Sequence, residues 1–258
     1  MDRRESALYR SLPEVADALY ECRLCPRLAR YREEVPARKS FRSDEYWRRP
    51  VPGFGDPEAK LVVIGLAPAA HGGNRTGRVF TGDKSGSFLV KALYEAGFAS
   101  QPTSERRDDG LAYTDCYLTA AVKCVPPQDK PTAEEFGNCS RWLGAELRLL
   151  TNARVVVALG KGAFDAYLRY ARGRGAATRG MAFGHGKRYA LGVAPPVFAS
   201  FHPSPRNTNT GKLSEEMLVS LFRRVREELG GTSRYGYPRR AGSGNRRFKK
   251  KPAQGLYR

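Results

Sequence analysis

Four short apolar runs constrain this chain most: LVVIGL at 61–66, YTDCYLTAAV at 113–122, RVVVALG at 154–160 and PVFASF at 196–201. Their apolarity is continuous rather than alternating, as expected of strands whose sheet is covered on both faces. Segments of helical periodicity follow each run: GSFLVKALYEAGF, TAEEFGNCSRWLGAELRLL, KGAFDAYLRYARG and LSEEMLVSLFRRVREEL. In the second of these, Thr132 and Glu135 stand at capping-box spacing. Such alternation predicts an α/β chain, a three-layer α/β/α sandwich around a central four-stranded parallel sheet.

Ligands of such sheets bind beyond the carboxyl ends of the strands. Three loops therefore belong together in space: 65–83, 123–131 and 202–211. The chain divides into one domain, 1–230, and a basic tail, 231–258, which holds nine basic and no acidic residues and is expected to be disordered. The formal net charge of +19 does not come from the tail alone. An excess this large favours a polyanionic partner, most often nucleic acid. No apolar run approaches the ~20 residues of a membrane span, and the N-terminus lacks the apolar segment of a signal peptide. The expectation is a cytoplasmic protein with no membrane partner.

Five cysteines in such a chain raise the question of a metal rather than of a disulfide framework. Cys22 and Cys25 form a two-residue-spaced pair, and Cys124 and Cys139 are separated by fourteen residues. Phe136, Trp142 and Leu143 flank Cys139 at helical spacing, so its thiol is expected on the core side of its helix. Cys116, amid apolar neighbours in a strand, needs no ligand role. Zinc and a 4Fe-4S cluster both accept four thiolates. The wide second spacing is unlike the two tight knuckles of a zinc ribbon and favours iron–sulfur.

The 65–83 loop, GLAPAAHGGNRTGRVFTGD, invites a phosphate-loop reading through Gly72 and Gly77. Arg78 stands where that motif needs Lys, however, and Val79 where it needs Ser or Thr. GFGDPE at 53–58 precedes a strand and fails the dinucleotide pattern. What remains is one flat aromatic, Phe80, a carboxylate, Asp83, and two histidines, His71 and His202. His202 opens HPSPRNTNTG, a loop stiffened by Pro203 and Pro205 and rich in short donors suited to phosphate. The plain alternatives are a strand-end histidine for His202, a helix N-cap for Asp83 and a core aromatic for Phe80.

These motifs, with LTAAVKCVPP and the four cysteines, resemble those of the family 5 (type B) uracil-DNA glycosylases over residues 22–229. The resemblance implies the uracil-DNA glycosylase fold and a 4Fe-4S cluster on Cys22, Cys25, Cys124 and Cys139. It implies a monofunctional DNA glycosylase that flips uracil and other deaminated bases, such as hypoxanthine, out of double-stranded DNA. The enzyme would hydrolyse the N-glycosidic bond in base excision repair. His202 and Asp83 are the catalytic candidates. Phe80, Gly65, Ala67, His71 and Asn74 are expected to contact the base, and Ser204, Arg206, Asn207 and Thr208 the DNA.

Two departures sharpen the expectation. Relatives in the wider superfamily carry an acid two residues after the loop's first Gly, where this chain has Ala67. Asp83 is then the carboxylate left to orient water. Uracil-selective relatives present an Asn where this chain has Ala120, so weaker discrimination among bases is expected. The chain is expected to act as a nucleoid-associated monomer. The competing readings are a non-catalytic iron–sulfur or zinc nucleic-acid-binding protein and a phosphate-ester hydrolase. The latter would need a cluster of metal-binding carboxylates that the sequence lacks.

Overall fold

A computed structural model describes residues 9–230; the first eight residues and the basic tail lie outside the described residues. In chain order the elements are α1 (Leu12–Tyr20), α2 (Pro26–Glu34), β1 (Phe54–Gly55), β2 (Leu61–Gly65), α3 (Gly73–Thr76) and α4 (Lys84–Glu95). There follow β3 (Cys116–Ala120), α5 (Ala133–Leu149), β4 (Val155–Leu159), α6 (Lys161–Gly173), β5 (Arg188–Tyr189), β6 (Val197–Ser200), α7 (Pro205–Thr208) and α8 (Glu215–Glu228).

The sheet has the order β1-β3-β2-β4-β6-β5. Its four central strands are parallel, in registers that set Gly65 opposite Ala120 and Val156 opposite Val197. The four expected strands thus form the centre. The sheet is nevertheless six-stranded and mixed, because two-residue antiparallel strands, β1 and β5, flank it. Pairs this short leave no periodic signal in the sequence. The run at 113–122 also becomes a strand only from Cys116. Asp115 takes a positive φ of 58° and its carboxylate is held by Lys60 and Arg226, so the chain turns there before pairing.

Residue alternation divides the interior into two layers. Leu61, Val63, Val155, Val157 and Leu159 pack with α4 and α8, through Leu89, Leu93, Leu218 and Phe222. Val62, Ile64, Val156 and Ala158 pack with α5 and α6, through Leu143, Phe164 and Tyr167. Helices on both faces make three layers, and explain why the strands are apolar throughout.

The α5 start behaves as its sequence predicts. Thr132 Oγ1 accepts from Glu135 N at 3.2 Å and Glu135 Oε2 accepts from Thr132 N at 2.7 Å. Glu135 also receives Arg27 Nε and Nη2 at 2.8 and 2.7 Å, which braces α2 against α5. No helix among the described residues is long and apolar enough to cross a membrane.

From β2 the chain crosses to β3 on one side and then returns past β2 to β4 on the other, so strand order reverses beside β2. In a sheet of this kind the ligand crevice opens at that reversal, beyond the carboxyl ends. The 65–83 loop, the 121–131 loop and the residues after Ser200 all start there.

Candidate active site and cysteine cluster

Gly65 ends β2 and is buried. A Cβ at Gly65 would lie 2.5 Å from Phe80 Cζ, so only a glycine lets the aromatic ring rest on the strand end. Phe80 itself has φ of 50°, an uncommon backbone state for a bulky residue. Its neighbourhood enforces that state. Gly86 packs against the Phe80 carbonyl, and Thr81 Oγ1 accepts from the buried Arg78 Nε at 2.8 Å.

Arg78 and Arg75 are the framework of this loop. Arg78 binds both carboxylate oxygens of Asp109 at 2.8 and 2.7 Å and donates to Ser104 Oγ at 3.1 Å. Arg75 donates to His71 O at 2.8 Å and pairs with Asp44 at 2.6 Å. Its guanidinium also lies 3.9 Å from the Phe41 ring centroid. The residue that replaces the phosphate-loop lysine is therefore a structural clasp.

Asp83 is the N-cap of α4, its Oδ1 accepting from Ser85 N at 2.9 Å and Gly86 N at 3.0 Å. Its Oδ2 is directed at Gly72, where an added Cβ would displace the carboxylate. One oxygen holds the helix while the other faces the site loop. Burial raises the Asp83 pKa, against the pull of the Gly86 and Ser85 N–H groups and of Arg75, and with a further push from Asp129.

His202 follows β6. Burial lowers its pKa to about 4, opposed by the negative charge of Asp129. The imidazole is therefore neutral at physiological pH, with one N–H donor and one bare nitrogen. Asn207 Nδ2 donates to His202 O at 2.8 Å, so the following segment is fastened to the histidine's own backbone. That segment, expected as a turn, is the single-turn helix α7 with Ser204 as N-cap. Thr208 Oγ1 donates to Ser204 O at 3.3 Å, and Arg206 is exposed.

Asp129 was not singled out from the sequence. It lies in a proline-framed loop after β3, where Gln128 and Asp129 both have φ of 56°. Two successive residues in this state are costly and mark a loop held in shape. The charge of Asp129 is felt by both Asp83 and His202, which joins the three loops electrostatically. Proline spacing was the available signal, but it does not reveal where the carboxylate sits.

Two residues expected to contact the base have partners within the fold. Asn74 is 1% exposed and donates Nδ2 to Arg32 O at 3.1 Å. Burial in α3 makes it a tie to α2 rather than a group presented to a base. His71 Nδ1 lies 3.0 Å from Tyr46 Oη, and burial, then Arg38 and Arg75, lower its pKa. Ala67, just beyond β2, and Ala120 are apolar at this sheet edge, with Ala120 buried at the end of β3.

Cys22, Cys25, Cys124 and Cys139 share one packed cluster with Leu19, Leu28, Val122 and Trp142. Cys116 lies in the other layer, fully buried. Three sulfurs accept hydrogen bonds: Cys124 from Arg32 Nη1 at 3.0 Å, Cys139 from Lys123 N at 3.4 Å and Cys25 from Asn138 Nδ2 at 3.5 Å. Two buried donors nearby, Arg32 Nε and Trp142 Nε1, have no partner among the described residues. Burial raises the Cys124 and Cys139 thiols to about 11 and about 12. Among the described residues no three His, Cys, Asp or Glu side chains converge closely enough to hold a single metal ion.

A model of the uracil DNA glycosylase superfamily matches residues 52–226. The chain is 51% identical over 213 residues to the type-5 uracil-DNA glycosylase of Thermus thermophilus, covering 82% of this chain and 95% of that protein. It is 49% identical over 218 residues to that of Pyrobaculum aerophilum, covering 84% and 93%. With the Mycobacterium tuberculosis type-5 enzyme it shares 44% over 223 residues, covering 85% and 82%.

Proposed function

The chain belongs to the type-5 branch of the uracil-DNA glycosylase superfamily, and on that premise we propose that it excises uracil from DNA by hydrolysing the N-glycosidic bond. The observation that carries the reading is a half-buried His202, kept neutral by its lowered pKa, at the same sheet edge as the Gly65–Phe80 contact.

The damaged nucleotide must leave the stack, at a cost of a few kcal/mol. The positive excess of the chain supplies phosphate affinity, and Ser204, Arg206, Asn207 and Thr208 present α7 to the strand beside the vacated position. Phe80 offers its ring to the flipped base. The bond between sugar C1′ and the base nitrogen then breaks, its electron pair departing with the base. Water adds through oxygen to C1′, and the proton it releases balances the anionic base. A neutral imidazole N–H from His202 stabilises the charge that develops on a base oxygen. It does so without first having to lose a proton.

Asp83 orients the water or stabilises the sugar cation through Oδ2, while Oδ1 remains the helix cap. Replacing Asp83 by Asn retains a good N-cap, so a structural role would be preserved. Turnover is expected to fall about 10²-fold, the lower end for a positioned acid–base group, with DNA affinity retained, as read by single-turnover base release and a binding titration. Turnover close to wild type would leave Asp83 as a cap only.

Ala120 removes an amide reader from the base edge. Hypoxanthine duplex is therefore expected to be cut alongside uracil duplex, since a site without a bidentate partner discriminates less. Release of uracil with no detectable release of hypoxanthine would refute that inference. The same reading makes the protein a base-excision-repair enzyme that works as a monomer on double-stranded chromosomal DNA in the nucleoid.

The four grouped cysteines are read as ligands of a 4Fe-4S cluster. The shared packing, the N–H donors on three sulfurs and the two unpartnered buried donors support that assignment. When bound, the cluster would supply a rigid, redox-capable anionic centre that ties α2 to α5 and the 121–131 loop. No step of base release passes through it.

A further inference from the structure

Arg32, on α2, is a buried cation whose surroundings the base pocket does not explain. It is 2% exposed. Its Nη1 donates to Cys124 Sγ at 3.0 Å and to Cys22 O at 3.1 Å, and its buried Nε has no partner among the described residues. Among the described residues the nearest carboxylate oxygen, on Glu33, is 3.7 Å from Nη2. Glu33 is 41% exposed and is also paired with Arg23 at 3.0 Å. A guanidinium is kept in an interior where an anion compensates it and accepts its hydrogen bonds. Neutral thiols do neither well.

We infer that Arg32 is the counter-ion of the metal–thiolate centre, its guanidinium bonded to the Cys124 ligand sulfur. The inference rests on the cluster reading above. Four thiolates around an iron–sulfur core give an anion, and charge and hydrogen bonds at its sulfurs govern both its retention and its potential. A cation there stabilises the reduced, more negative form, so its loss lowers the potential. Nearby Lys123 does not share this role, because its ammonium is paired with Glu146 at 2.6 Å.

The test uses the full chain purified without air, as wild type and as Arg32→Lys, Arg32→Gln and Arg32→Met. Iron and acid-labile sulfide per chain, the rate of cluster bleaching by ferricyanide and the midpoint potential are measured. Arg32→Lys is expected to bleach within about threefold of wild type. Arg32→Gln and Arg32→Met are expected to bleach at least tenfold faster, with a more negative potential. If Arg32→Met fails to fold, Arg32→Gln against Arg32→Lys decides, since they differ in charge while both can donate. Equal bleaching and equal potential in those two variants overturn the counter-ion role. Wild-type protein without iron and sulfide overturns the cluster reading itself, a distinct result.

Discussion

Replacing His202 by Ala is expected to lower uracil release about 10²–10³-fold, the scale of losing one well-placed donor to a developing oxyanion. Affinity for DNA should stay within a few-fold, because the phosphate contacts are assigned to α7 and to the general positive charge. The distinction is measurable: single-turnover release reports the chemical step, and a titration with an uncleavable duplex reports binding. Substitution by Ala removes the N–H but not the backbone carbonyl that Asn207 holds, so α7 should remain in place. A parallel loss of binding and turnover would mean that His202 shapes the loop rather than the reaction.

The same residue sets a pH expectation. Burial lowers its pKa from the ordinary 6.5 to about 4, so its protonation should not limit turnover anywhere from pH 6 to 8. An acid limb should appear only near pH 4–5. The stability effect has a definite sign. Between pH 6.5 and about 4 the unfolded chain takes up a proton at this histidine that the folded chain refuses. The contribution is therefore fully present above 6.5 and is lost as pH falls through that window. His202→Ala should flatten the acid side of a stability profile.

Glu146→Ala should produce the largest loss of stability among single substitutions of the described residues outside the apolar core. Glu146 Oε2 accepts from Lys123 Nζ and Thr119 Oγ1, each at 2.6 Å, and Oε1 accepts from Gly53 N at 2.9 Å. Lys123 and Glu146 are each 1% exposed at the side chain. Removing the carboxylate leaves the buried Lys123 ammonium without its counter-charge and the half-buried Gly53 N–H without its acceptor. Breaking one partner of such a pair costs about 3–5 kcal/mol. In a domain of this size that is roughly 6–20 °C in Tm. The double variant Lys123→Met with Glu146→Leu should recover much of the loss, because no charge is then stranded. A single variant that melts within a degree or two of wild type would show that Lys123 reaches water when unpaired.

The central strands and their helices were legible because a parallel strand buried on both faces cannot avoid a continuous apolar run. The Thr132–Glu135 cap was legible for a local reason, since its two partners are three residues apart. Helix α2 was not. Its sequence PRLARYREE is mostly charged, and only Leu28, Ala29 and Arg32 turn inward. An arginine on the buried face defeats any reading by polarity. The edge strands were too short to have a period.

At the site, the sequence indicated which loops meet but not what each side chain does there. Asp83 was read both as a cap and as a catalyst, and its two oxygens face both ways. Asn74 was read as a base contact although its side chain is buried within α3 and tied to α2, because amphipathic position in a four-residue helix has no periodic signature. Asp129 was passed over because its influence on Asp83 and His202 arises only when separate loops converge. The four cysteines were grouped from their spacing and from the core side of the α5 helix, and Cys116, in its apolar strand, was left out of the group on the same grounds.

The most direct measurement is base release by the purified wild-type chain on two otherwise identical duplexes, one carrying a single uracil and one none, scored as free uracil and abasic sites. The account predicts stoichiometric uracil and abasic product from the first duplex, none from the second, and little product from the first with His202→Ala. Tight binding of the uracil duplex with no free base released would contradict it.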